Sequence, residues 1–295
     1  MLYQISHRTL YTYDSPVTVA HYIARLEPRP LPTQSCPWHE IVIRPQPACR
    51  ADGRTDAFGN TGVYFEIEGT HAELEVVARS YVRLKPRPLP DPAATPAWES
   101  VRDACLGDRW SSDTAAGEFV RASPLVPLRD EFAAYAAESF PKDCPVLQGV
   151  CDLNRRIFRD FTFDPSATSV ATPVAKSFAQ RRGVCQDFAH VMIACLRAIG
   201  LPARYVSGYL ETLPPPGKEK LVGADASHAW LAVWCGEPHG WIDADPTNDL
   251  LPSGRHITVG WGRDFSDVSP LTGVSIGSGR QKLTVGVDVM AVEED

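Results

Sequence analysis

No two of the eight cysteines stand three apart in a C-x-x-C pair; they occupy positions 36, 49, 105, 144, 151, 185, 195 and 235. A structural zinc site therefore lacks its usual paired thiolates. The chain also has no glycine-rich phosphate loop, no dinucleotide fingerprint and no H-E-x-x-H motif, which leaves nucleotide and zinc-peptidase chemistry without a footing. No cofactor and no metal ion is expected. Positive charge is in deficit, with 29 Lys+Arg against 36 Asp+Glu and a net charge of −7, so a nucleic-acid partner is not expected. Long apolar runs are missing too, and no segment approaches the roughly 20 residues a membrane span needs. The N-terminus, from Met1 to Arg8, lacks the basic and apolar blocks of a signal peptide. The expectation is a cytoplasmic protein without a membrane partner, its cysteines free thiols. Oligomeric state has no signature in the sequence.

What is present is a chain of 295 residues, 44% apolar and 22% charged, enough for a large core and for two domains. Residues 1–90 read as a β-sheet or β-sandwich domain. Its expected strands are Leu2–Tyr13, Val17–Leu26, His39–Arg44, Val63–Glu68 and Leu74–Leu84, divided by turn clusters such as Asp52-Gly53. Within it, Tyr22 to Pro32 nearly repeats in Tyr81 to Pro90. Both copies read as strands ending in stiff proline-rich exits rather than as PxxP ligands, because proline ends a ladder whether or not anything binds it. Residues 91–160 form a helical linker and the start of the core, with helices expected over Asp130–Phe140 and Val146–Phe158. Residues 161–260 are the core, and 261–295 are a β extension in which Leu283, Val285, Val287 and Val289 alternate.

Cys185 opens a helix. Phe188, Val191, Met192, Cys195, Leu196 and Ile199 follow at three- and four-residue spacing, and Gly200-Leu201-Pro202 closes the stripe. A thiol at a helix start meets unpaired N–H groups and partial positive charge, which favour the thiolate. Its own backbone N–H is placed to donate to an oxyanion. Taken alone, the same position also suits an ordinary core cysteine. His190 lies about 140° around the helix from Cys185 by the 3.6-residue repeat, which makes it a poor base. Asp187 reads as a first-turn acid, with a substrate-facing role left open.

Downstream, His228, Trp230, Ala232 and Trp234 alternate with Ala229, Leu231 and Val233, and a second strand follows from Gly240. If Trp234 pairs with His239, Pro238 stays out of the ladder and Asp245 falls directly opposite His228. A slip that brought Asp243 opposite would force Pro238 into a paired strand. Asp245 is therefore the expected partner of His228, and Asp243 the second choice. Together Cys185, His228 and Asp245 compose a nucleophile, a base and a group that orients the base.

These strings resemble the transglutaminase-like superfamily. The resemblance rests on Gly183-Val184-Cys185-Gln186-Asp187-Phe188-Ala189-His190, on Gly200 through Tyr209, on His228-Ala229-Trp230 and on Asp245-Pro246-Thr247-Asn248. The β-rich N-terminal stretch is similar to the region bacterial members carry before the core. The resemblance implies an α+β, papain-like core with the nucleophile helix packed on an antiparallel sheet, and it maps the catalytic cysteine, histidine and aspartate onto Cys185, His228 and Asp245. It also implies attack on an amide to form a thioester, completed by water or by an amine. Calcium dependence is not implied, since the acidic loop for it is missing. Relatives take a second oxyanion donor from an upstream side chain; Phe163 stands in a suitable place but has no donor.

Three functions follow from this reading. The first is a cysteine peptidase or amidohydrolase acting on a peptide or amide substrate. The second is acyl or glutaminyl transfer to amines on the same triad, and the third is a non-catalytic peptide-binding scaffold. Incorporation of an added amine separates the first two, and selective alkylation of Cys185 separates both from the third. Loops such as Leu213 to Lys218 are expected to shape the pocket.

Overall fold

The structure is a computed structural model and describes residues 1–106, 115–211, 227–277 and 279–292. Four strands come first: β1 (Leu2–Ala24), β2 (Gln34–Arg44), β3 (Cys49–Thr55) and β4 (Thr61–Leu84). Helices α1 (Trp98–Cys105), α2 (Asp130–Ala137) and α3 (Val146–Asp160) lead to β5 (Thr162–Phe163), α4 (Val174–Gln180) and β6 (Arg182–Gly183). Next come α5 (Cys185–Ala198) and β7 (Ala203–Leu210), then β8 (Ser227–Trp234), β9 (Trp241–Ala244) and β10 (His256–Gly262). The chain finishes with α6 (Phe265–Val268), β11 (Leu271–Ile276) and β12 (Gln281–Val292).

The N-terminal strands are fewer and longer than their sequence suggests. Leu2–Tyr13 and Val17–Leu26 fuse into β1, and Val63–Glu68 and Leu74–Leu84 fuse into β4. Register shifts between Thr12 and Val19 mark the bend where the local pattern breaks. The distal and proximal halves then share one apolar cluster, in which Ala20, Phe65 and Ile67 meet Ile41, Leu74 and Val76. The short polar strand β3 was read as a turn; its mostly exposed residues carry no apolar alternation to betray it.

β11 and β12 return to this sheet and both pair with β1. The sheet thus has six strands, assembled from both ends of the chain.

The second sheet runs β10-β7-β8-β9 and is antiparallel. Helix α5 packs on one face of it, and Ala189, Ile193 and Leu196 share a fully buried core with Leu231, Val233 and Ala244. The fold is α+β. The sheets meet where Tyr3, Ile5, Val82, Leu84, Val287 and Val289 pack on Tyr209, Ile257 and Val259.

The two proline-rich exits run along this second sheet and are hydrogen-bonded to it. The N–H of Arg29 donates to the Thr258 carbonyl at 3.0 Å, and Arg87 Nη2 donates to the Trp241 carbonyl at 2.7 Å. Among the described residues, no helix is long and apolar enough to cross a membrane. The segment Leu213 to Lys218 lies outside the described residues.

Candidate active site

The loop entering α5 is held from below. β5 and β6 pair in parallel, with Phe163 against Gly183, and the Asp164 N–H donates to the Gly183 carbonyl at 2.9 Å. Asp187 fastens the turn. Its Oδ2 accepts from the Val184 N–H at 2.9 Å and from Thr168 Oγ1 at 2.6 Å, while Oδ1 accepts from Ser177 Oγ at 2.7 Å. Gly183 makes room for this: a Cβ there would stand 2.5 Å from Asp187 Oδ2. Asp187 thus holds the loop, its buried carboxylate bonded through both oxygens to Val184, Thr168 and Ser177. The loop in turn aims Cys185, which is partly exposed at the floor of a cleft of about 320 Å³. The first-turn N–H groups of α5, including that of Cys185, have no carbonyl one turn back to bond.

The hairpin carrying His228 closes differently from the expected register. Trp234 pairs with Trp241 instead of His239, and Leu231 pairs with Ala244. The connection over residues 235–240 closes on its glycines, with φ of 73° at Gly236 and 67° at Gly240. The His239 and Gly240 N–H groups both donate to the Gly236 carbonyl at 2.9 Å. Pro238 is outside the ladder, as its missing N–H requires. Continued one step, this register sets Asp245 opposite Trp230 and diagonal to His228. The imidazole spans the diagonal, and His228 Nε2 lies 2.8 Å from Asp245 Oδ2.

Asp245 is fully buried and heavily bonded. Besides His228, its Oδ2 faces His256 Nε2 at 2.9 Å and accepts from Asn248 Nδ2 at 2.7 Å. Its Oδ1 accepts from the Thr247 N–H at 3.0 Å. Burial opposes the carboxylate, but hydrogen bonds from His228 and His256 outweigh it and hold the group below the usual carboxylate range. Burial likewise opposes a charged His228, but hydrogen bonds to Asp245 and Cys185 push its pKa up to about 10. With Nε2 committed to Asp245, the nitrogen left for Cys185 is Nδ1. The rings of Trp230 and His256 confine the imidazole, with centroids 5.9 and 5.7 Å from its own.

His228, Asp245 and His256 bring three ligand atoms within 4.8 Å of one another. Two Nε2 atoms at 2.8 and 2.9 Å from one oxygen fit protons between them. A tetrahedral metal about 2.0–2.1 Å from each atom would hold nitrogen and oxygen farther apart.

The other expected residues scatter. Phe163 lies on β5 beside the nucleophile loop, 53% exposed, with its ring edge-on to Phe188. Asp243 pairs across from Ala232 and lines a separate cavity of about 450 Å³ with Arg87, Arg204 and Trp261; it does not reach His228. His190 is buried, accepts from the Phe265 N–H at 3.2 Å, and is pushed down to about 4 by burial. It is a structural histidine.

Two residues escaped the sequence reading. His256 reaches Asp245 only because β10 pairs with β7, a contact no local pattern reports. Tyr205 lines the cleft close enough to Cys185 to feel its charge, and burial first, then Cys185, raises its phenol pKa. It therefore stays a hydrogen-bond donor.

Residues 3–90 match the bacterial transglutaminase-like N-terminal region, and residues 134–246 match the transglutaminase-like superfamily core. An uncharacterised Mycobacterium tuberculosis protein is 41% identical over 301 residues, covering 99% of this chain and 94% of its own length. The chain belongs to the transglutaminase-like superfamily. Among solved structures, a Cytophaga hutchinsonii protein described as a "putative cysteine protease" superposes with a TM-score of 0.74 at 19% identity. That match covers 100% of this chain and 92% of the other, and it shows the shared fold. A Pseudomonas aeruginosa protein-glutamine gamma-glutamyltransferase is 39% identical over 93 residues, 31% of this chain and 14% of that protein.

Proposed function

We propose that this transglutaminase-like protein is a cysteine-dependent amidohydrolase working through Cys185, His228 and Asp245. The observation that carries the reading is His228, bonded through Nε2 to a buried carboxylate at 2.8 Å and hydrogen-bonded to the Cys185 thiol. Sγ attacks the amide carbonyl carbon, and the negative charge that develops on oxygen is met by the Cys185 N–H. The C–N bond breaks as the His228 imidazolium gives its proton to the departing amine, leaving a thioester. Water then adds, His228 takes its proton, and the acid departs. Asp245 keeps the imidazole in one tautomer and stabilises its charged form.

Hydrolysis of peptide and aminoacyl amides by the wild type, lost in Cys185→Ala, tests this; an unchanged rate in that variant would falsify it. The similarity to the glutamyltransferase supports a second reading, in which an amine replaces water at the thioester. Supplying a labelled primary amine during turnover distinguishes them, since transfer places the label in the product. All eight cysteines are free thiols, which supports work in a reducing compartment such as the cytoplasm.

A further inference from the structure

One face of β12 carries an apolar row at every second residue: Leu283, Val285, Val287 and Val289. Val287 and Val289 are 0% exposed, sealed against Tyr209, Ile257 and Val259 of the catalytic sheet. Leu283 and Val285 continue the row yet stay 51% and 47% exposed. Both line the cleft that holds Cys185 and His228. Tyr11 pairs with Leu283 and Thr9 with Val285, so β1 adds its own side chains to the same wall. Val170, Val184, Ala229, Phe265, Pro270 and Leu271 add to the apolar lining, Gln186 and three serines interrupt it, and no described lining residue is Asp, Glu, Lys or Arg. The row is covered where the sheets touch and bare where they part over the nucleophile. Such surface is characteristic of a ligand site.

We propose that the bare half of this row is a side-chain subsite, through which the N-terminal sheet selects substrates with an uncharged apolar residue on the carbonyl side of the scissile amide. The inference rests on Cys185 being the nucleophile. The acyl portion stays bonded to Sγ after the amine leaves, so a wall reaching Cys185 can hold that portion through both chemical steps. A charged side chain entering there would lose hydration and find no Asp, Glu, Lys or Arg of opposite charge among the described lining residues.

The test uses dipeptidyl chloromethyl ketones bearing Leu, Phe, Asp or Lys, with iodoacetamide as a probe that has no side chain to select. In the wild type, Leu and Phe probes should alkylate Cys185 at least about tenfold faster than Asp or Lys probes, a ratio apolar pockets readily reach. Leu283→Lys and, separately, Val285→Lys should erase that preference and raise the rate with the Asp probe. Iodoacetamide rates should hold in both variants, showing that fold and thiol are intact. The subsite is overturned if the wild type shows no preference. It is equally overturned if both Lys variants keep the preference while iodoacetamide still reacts normally. Slow, unselective reaction of wild-type Cys185 with iodoacetamide itself overturns the hydrolase reading, and the subsite with it.

Discussion

The two faces of the four-stranded sheet are built from alternate residues of the same strands and carry opposite kinds of side chain. On one, Tyr205, Leu231, Val233 and Ala244 pack on α5 in a continuous apolar core. On the other, His228, Trp230, Asp243 and Asp245 share the space with His256 and Arg204, and the apolar cluster shrinks to Val206, Trp230 and Ala232 with flanking tryptophans. The period of two in a strand makes this division possible without extra chain. The helix face fixes where Cys185 stands, and the polar face fixes how His228 is charged. The proposed chemistry needs both, but substitutions on each face should fail in different ways.

The largest effect is expected at the junction of the two faces. Cys185→Ala should lower turnover by roughly 10⁵–10⁶-fold, as loss of a nucleophile does elsewhere, while thermal melting stays near that of the wild type. Asp245→Asn should cost roughly 10³–10⁴-fold in kcat, and it should also move the pH profile. His228 owes its raised pKa partly to this carboxylate, so the alkaline limb of kcat/KM should descend from near pH 10 by about one unit or more.

The same pair sets the pH dependence of stability. The contribution of His228 is complete below its ordinary value of 6.5 and is lost as pH rises through about 10. That of Asp245 is complete above the ordinary 3.8 and is lost as pH falls through its depressed folded value. Melting curves of wild type and Asp245→Asn should therefore differ most at neutral pH and converge at both extremes.

On the helix face the failure should be structural. Leu231→Ala removes a fully buried side chain and should cost about 3 kcal/mol in urea unfolding, with kcat per folded molecule little changed. A large loss of kcat at unchanged stability would erase the contrast between the faces. The smallest effect belongs to His256→Ala, expected to reduce kcat about tenfold, as loss of an outer orienting bond does. Asp245 would keep its bonds to His228, Asn248 and Thr247, and His256→Gln should recover part of the loss by restoring a donor.

The division between faces also explains what could be read in advance. Cys185, His228 and Asp245 lie in short strings whose alternation and helical spacing are local, and they were legible. The pairing of Asp245 was anticipated for the wrong reason, because a directly opposed register was assumed and the imidazole crosses a diagonal instead. His256 was invisible, since only the pairing of β10 with β7 brings it to Asp245. The bent strands β1 and β4 were each read as two, because the bulges that bend them also interrupt their alternation. The α+β core followed from the family resemblance, with the helical spacing after Cys185 and the alternation after His228 consistent with it. Which strands share a sheet did not, since β1 pairs with β12 across almost the whole chain.

That last pairing has a consequence for the order in which the molecule can be completed. Ribosomal synthesis delivers Cys185, His228 and Asp245 before any residue of β12, so the catalytic groups emerge while the outer partner of β1 does not yet exist. The wall made by Leu283 and Val285 is therefore synthesised after these groups, and the pairing of β12 with β1 is what adds it to the cleft. Until then the cleft has the β1 side of that wall but not the β12 side, so the proposed apolar subsite is completed later than Cys185, His228 and Asp245 themselves.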